Sequence, residues 1–155
     1  MPVEQLIPTM LGAMAPSTGR TRIRLLWLHL DNLSFDEAVI RIIAMCRSVE
    51  PSYVVTPNVD HFMKTRKDAP LRAIYDAAGL SLADGMPVVW AARLLGRPLK
   101  AKVSGSDLLD ALCRAAAAEG IGVFLLGGGP GVAERAKAAL ETRHPGLRIV
   151  GTCSP

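Results

Sequence analysis

With 155 residues, half of them hydrophobic, and a mean hydropathy of +0.27, the chain can bury one domain-sized core, which excludes disorder over most of its length. A net charge of +4 and a pI of about 9.3 fall short of the dense basic surface of a dedicated nucleic-acid binder. Three scattered cysteines, Cys46, Cys113 and Cys153, make no C-x-x-C pair; their odd number argues against a disulfide framework and fits a reducing cytoplasm.

The N-terminal MPVEQLIPTMLGAMAP lacks a basic start and carries Glu4 and three prolines, so it does not read as a signal peptide. Residues 1–20 are read as a flexible leader and 21–155 as a single α/β domain. No run approaches about 18 uninterrupted apolar residues, so no transmembrane helix is predicted. Arg20, Arg22 and Arg24 form a small basic cluster. It is either solvated surface or an attraction for phosphates or an anionic membrane face.

Residues 23–28 read as a strand. Ser34, with Glu37 three residues on, predicts a capping box and a helix whose apolar face is Ala38, Ile42, Met45 and Val49. Residues 53–55 read as a short strand ending at Thr56-Pro57. Helices are predicted over 59–67 and 70–78. The next strand, 80–83, is stopped by Asp84-Gly85, and Pro87 suits the first residue of a helix to about 95. Ser106 is expected to cap a helix over 107–119 that ends at Gly120. Residues 121–126 form a continuous apolar run, as in a strand buried on both faces. Three glycines, Gly127, Gly128 and Gly129, follow, then a helix over 130–143, a Pro145-Gly146 turn and a last strand over 147–150.

Strands alternating with helices predict an α/β fold with a mainly parallel, Rossmann-like sheet flanked by helices. In such sheets ligands bind outside the carboxyl ends of the strands. That rule selects three strand-to-helix turns on one edge: residues 56–58, 84–85 and 127–131.

Each turn has two readings. Asp84 could take a proton from an attacking hydroxyl, or serve as a helix N-cap. Thr56 and Asn58 suit sugar hydroxyls or a uracil edge, or are plain turn chemistry. His61 could be a general base, or a surface or capping residue. The glycine cluster lets backbone N–H groups approach a phosphate, or makes a tight turn. Its spacing fits neither G-x-G-x-x-G/A, since Val132 stands where a small residue belongs, nor a P-loop. Lys100 and Lys102 could meet a diphosphate, or be plain exposed lysines, and Asp107 could either favour the helix dipole or help form the site. His29, His61 and His144 are isolated and there is no Asp-x-Asp pair, so no metal site is predicted. No Gly-x-Ser-x-Gly elbow occurs, which disfavours an α/β-hydrolase.

Taken in order, the motifs resemble one family. They are Val55-Thr56-Pro57-Asn58-Val59-Asp60-His61, Leu82-Ala83-Asp84-Gly85-Met86-Pro87, Val103-Ser104-Gly105-Ser106-Asp107-Leu108, Phe124-Leu125-Leu126-Gly127-Gly128 and His144-Pro145-Gly146-Leu147. From about residue 25 to the last, the chain looks like the WecG/TagA/CpsF glycosyltransferases. The resemblance implies an inverting transferase that moves a sugar, N-acetylmannosamine or a related one, from a UDP-sugar to a polyprenyl-diphosphate-linked sugar acceptor. Such enzymes serve teichoic acid or surface polysaccharide synthesis.

By that resemblance Asp84 is the catalytic base. Thr56 and Asn58 line its pocket with Gly85, Lys102, Gly105 and Asp107, and Gly127, Gly128 and Gly129 lie near the nucleotide. It further implies self-association and, through the acceptor lipid, peripheral contact at the inner face of the plasma membrane; the missing metal-ligand patterns, the cysteines and the mild charge add the expectation of a metal- and cofactor-independent mechanism, a cytoplasmic location and no nucleic-acid partner. Two departures stand out. Lys102 stands where the family commonly has Arg, which keeps the charge but loses the bidentate fork. Family members also continue past the point where this sequence ends, with a basic C-terminal segment. A non-catalytic nucleotide-binding or interaction module is therefore the alternative. A Rossmann-like dehydrogenase is disfavoured by the failed glycine fingerprint.

Overall fold

A computed structural model describes residues 22–155, so the leader reading of 1–20 and Arg20 lie outside the described residues. The chain is mixed α/β and forms two compact units, one reaching Asp107 and one starting at Leu108. Its described strands pair as three two-stranded sheets, two parallel and one antiparallel, and one continuous parallel sheet is not defined by this pairing.

The first unit opens with an antiparallel hairpin of β1 (Arg22–Leu25) and β2 (Leu28–Asp31). The single strand expected over 23–28 is thus two strands. The chain reverses at Leu26–Trp27, with Leu26 at φ 55°. No Gly, Asn or Asp marks that turn, which is why its sequence is silent. Tertiary contacts hold it instead. Leu25, Leu28 and Leu30 are buried, and the Trp27 indole N–H donates to Phe62 O and Thr65 Oγ1, both at 3.1 Å.

Helix α1 (Phe35–Cys46) has the predicted capping box. Glu37 N–H donates to Ser34 Oγ at 3.2 Å, and Ser34 N–H donates to Glu37 Oε2 at 2.7 Å. Val49 is not on its buried face: the helix has already ended, and Val49 is 97% exposed. The buried face is Ala38, Val39, Ile40, Ile42 and Ile43.

Strands β3 (Val54–Val55) and β4 (Leu80–Ser81) pair in parallel. They are joined through helices α2 (Val59–Lys67) and α3 (Ala69–Ala77). The ladder continues past the strands, with Leu82 N–H to Val55 O at 2.9 Å and Asp84 N–H to Pro57 O at 3.1 Å. Helix α4 (Met86–Leu94) follows, and a core of Leu25, Leu28, Leu30, Phe62, Val88 and Ala92 unites hairpin, α2 and α4. Asp31 is buried at the end of β2. It accepts the Ser81 N–H at 2.8 Å and the Arg22 Nε–H at 3.2 Å, so one carboxylate joins β2 to β4. Arg22 also donates to the carbonyls of Asp76 and Ala78. It is a structural residue, not part of a solvated basic surface.

Helix α5 (Gly105–Glu119) begins one residue before Ser106, so Ser106 is not its N-cap; its hydroxyl lies 2.8 Å from that of Ser104 inside the first turn. Gly120, at φ 65°, ends it, and Ile121 N–H returns to Ala116 O at 2.9 Å, a 6→1 closure that a left-handed glycine permits.

In the second unit β5 (Gly122–Leu126) and β6 (Arg148–Cys153) pair in parallel, with α6 (Val132–Arg143) between them in sequence. The apolar run of β5 is not buried on both faces. Val123 and Leu125 pack on a core of Cys113, Ala116, Leu140, Leu147 and Ile149. The other face leaves Phe124 56% and Leu126 73% exposed. Both helices of this unit supply side chains to one face only, so continuous apolar sequence does not by itself imply two covered faces. All three cysteines are free thiols.

An ionic clamp closes this unit. Asp110 Oδ1 accepts from Arg143 at 2.9 Å and lies 3.1 Å from Nε2 of the buried His144. The Arg143 hydrogen bond, then that of His144, holds the Asp110 carboxyl below the ordinary carboxylate range. A lowered folded pKa contributes stability that is present above the unfolded value of about 3.9 and is lost as pH falls through the folded one. In thermal melts from pH 6 to pH 2, the advantage of wild type over Asp110→Asn is therefore expected to shrink below about pH 4. A gap that stayed constant to pH 2 would count against the clamp.

Candidate functional site

Of the three turns expected on one sheet edge, two, 56–58 and 84–85, lie in the first unit at the carboxyl ends of β3 and β4, while 127–131 lies in the second unit beside a separate strand pair. Thr56-Pro57-Asn58 leaves β3, and Asp84-Gly85 leaves the extension of β4. The Asp84 N–H to Pro57 O bond holds the two turns side by side. The third segment is anchored by Val103 N–H to Ala83 O at 2.8 Å. It brings Gly105 so close to Thr56 that a Cβ on Gly105 would stand 3.4 Å from Thr56 Oγ1. A Cβ here would be in van der Waals contact with the Thr56 hydroxyl, so the two segments adjoin. Thr56, Asn58, Asp84, Gly85 and Gly105 thus share one corner.

Asp84 is half-buried and is not the helix cap. The N-cap of α4 is Gly85, at φ 95° and ψ 142°, with no side-chain cap bond. That backbone belongs to glycine, because a Cβ there is strained. Among the described residues no hydrogen bond or ion pair engages the Asp84 carboxylate. A half-buried carboxylate without a structural partner, beside a hydroxyl and an amide, suits proton transfer or binding better than fold support.

Asn58 does cap. Its Oδ1 accepts the His61 N–H at 3.2 Å, and His61 Nδ1 accepts the Asn58 N–H at 3.2 Å, a capping box with His in the Glu position. The turn reading of Asn58 therefore holds for its oxygen, while the side-chain NH2 keeps both donors. His61 is a capping residue, which excludes Nδ1 as a free base in this state.

The two lysines separate. Lys100 Nζ reaches both oxygens of Glu37 at 2.8 and 2.9 Å, so it is committed to α1 rather than to a diphosphate. That contact, followed by the Ser34 N–H, lowers the Glu37 pKa. Lys102 pairs with Asp107 at 3.3 Å, both exposed, beside the Gly105 turn. Such a pair contributes little to stability and opens readily for a ligand.

In the second unit, Gly127 and Gly128 have φ of 118° and 79°, and Gly131, at 73°, is the left-handed N-cap of α6. A Cβ on Gly128 would meet Val132 Cγ1 at 2.9 Å, so the residue that breaks the dinucleotide fingerprint also occupies the space beside this glycine. Gly127 N–H is committed to Cys153 O at 2.8 Å. No such bond engages the N–H of Gly128 or Gly129 among the described residues.

Asp31, Trp27 and Asp110 carry structural weight that the sequence reading missed. The one local signal was an acid closing the alternating segment Leu28-His29-Leu30.

The chain is similar to an N-acetylglucosaminyldiphosphoundecaprenol N-acetyl-β-D-mannosaminyltransferase from Bacillus spizizenii. The two are 27% identical over 100 residues, 64% of this chain and 39% of that protein. The chain thus spans well under half the length of this relative. The model of the glycosyl transferase WecG/TagA/CpsF family matches residues 23–155, which takes in both compact units. With that match over most of its length, the chain belongs to the WecG/TagA/CpsF family of glycosyl transferases.

Proposed function

We propose that this chain carries the donor- and acceptor-binding core of an inverting glycosyltransferase with Asp84 as general base. The observation behind this reading is the Asp84 carboxylate, half-buried and without a structural partner where the Thr56–Asn58, Asp84–Gly85 and Gly105 segments meet. Asp84 takes the proton of an acceptor sugar hydroxyl. The oxygen attacks the anomeric carbon of a UDP-sugar as the bond to UDP breaks on the opposite face, which inverts the centre. Thr56 and the Asn58 NH2 hold sugar hydroxyls. Lys102, released from Asp107, meets the departing charge.

The donor is of the N-acetylmannosamine type, and the acceptor a polyprenyl-diphosphate-linked sugar, in keeping with the name of the Bacillus relative. Gly128 and Gly129 of the second unit offer N–H groups to the nucleotide phosphate. No metal takes part in this scheme.

Calorimetric titration with UDP tests the binding half. Saturable binding that is weakened by Lys102→Ala is the expected result, and absence of UDP binding would reject it. The second reading is a nucleotide-binding module without catalysis. UDP binding with no transfer to any acceptor would select it.

A further inference from the structure

We infer that His61 is a positioning residue for the sugar site: it fixes Asn58 so that the amide NH2, and not the amide oxygen, meets a bound sugar. A free asparagine side chain offers either end, two donors or an acceptor. Two bonds remove that choice here. The His61 backbone N–H is a donor, so its partner at 3.2 Å must be the amide oxygen, Oδ1. The Asn58 backbone N–H is also a donor, so the ring atom at 3.2 Å, Nδ1, is unprotonated. The neutral ring then carries its hydrogen on Nε2. The NH2 is the end of Asn58 that no hydrogen bond engages among the described residues. It belongs to the residue after Pro57, whose carbonyl receives the Asp84 N–H at 3.1 Å. Two donors and no acceptor select a substrate oxygen that accepts, such as an acetamido carbonyl or a sugar hydroxyl.

The ring is itself held. Its centroid lies 5.9 Å from that of Tyr75 on α3, with the rings tilted by 45°. The adjacent Asp60 is taken by Lys64 at 2.6 Å, so its nearest carboxylate in sequence does not hold the imidazole. Glu or Gln usually fills the third position after a cap. Glu would add a negative charge to the turn beside Asp84, where a nucleotide diphosphate has to approach. A neutral imidazole accepts the same N–H without that charge. The inference deepens the proposed function and rests on it for the presence of a sugar at this corner.

The test is a set of variants assayed with UDP-N-acetylmannosamine and a polyprenyl-diphosphate-linked N-acetylglucosamine, each varied in turn, well below the thermal transition of every variant. His61→Ala should raise KM for the sugar that Asn58 holds by about tenfold, the size of one weakened hydrogen bond, with kcat nearly kept. His61→Gln can accept the Asn58 N–H and should bring KM back to within about twofold of wild type. His61→Glu should restore the thermal transition but not KM, because of its charge. Asn58→Ala should show the same rise in KM, and adding His61→Ala to it should raise KM no further, since His61 acts through Asn58. A residue that only caps α2 would change the fraction of folded enzyme, and so kcat, while KM stayed constant. That outcome, or additive effects of the two alanine variants, overturns the inference. Proton–nitrogen NMR of the His61 ring reads the same geometry without turnover: an Nε2–H tautomer is expected, and a ring protonated on Nδ1 overturns it. Full kcat in Asp84→Asn would reject the catalytic base and leave the KM and NMR results of this set standing.

Discussion

Asp84→Asn is expected to lower the rate of sugar transfer by about 10²–10⁴-fold, the usual contribution of a positioned general base. The change is nearly isosteric, and no structural bond of the Asp84 carboxylate is lost among the described residues, so the thermal transition should stay within about 0.5 kcal/mol of wild type. UDP affinity should also be kept, because the base acts on the acceptor hydroxyl. The measurement is kcat with a UDP-sugar donor and a polyprenyl-diphosphate acceptor, beside UDP titration of the same protein. Full kcat in Asp84→Asn would remove Asp84 from the mechanism. A loss of rate accompanied by unfolding would make it a structural residue instead.

The largest effect on stability is expected at Asp31. Its carboxylate is buried, accepts from Ser81 N–H and Arg22, and joins the hairpin to β4. Asp31→Ala leaves a buried N–H without that acceptor and a half-buried guanidinium without its counter-ion. Breaking one side of such a pair costs about 3 kcal/mol. Asp31→Asn retains an acceptor for Ser81 and should cost less. Urea unfolding of the two variants reads both values. Equal effects would mean that charge alone matters; effects near zero would mean that the bridge does not form. Because β4 leads into Asp84, Asp31→Ala should also reduce turnover in the protein that remains folded.

These two aspartates show how unevenly the sequence discloses its structure. Asp84 was visible because it follows a strand and precedes a glycine that starts a helix. Position alone favoured the cap over the base, since Asp before a helix start commonly caps it. Only the folded backbone gives the cap position to Gly85 and leaves Asp84 without that role. Asn58 went the other way. Its oxygen is used in capping, because His61 lies three residues on and completes the box. Lys100 was equally ambiguous. Its partner, Glu37, lies 63 residues away, and no local pattern carries that distance.

What the sequence determined by itself is what neighbours along the chain decide. The capping box at Ser34, helix α2 over Val59–Lys67 and the glycine stop after α5 follow from capping, periodicity and φ, which are local. The order of motifs was enough to point to the family. The tertiary structure alone decided the reversal at Leu26–Trp27, the exposed face of β5 and the burial of Asp31. Each depends on which surface another segment covers. A Trp indole reaching α2 makes a turn without turn residues, and a helix on one face only leaves half of an apolar strand in water. Hydrophobicity along the chain says that a side chain prefers burial; whether it is buried depends on the segments that pack against it.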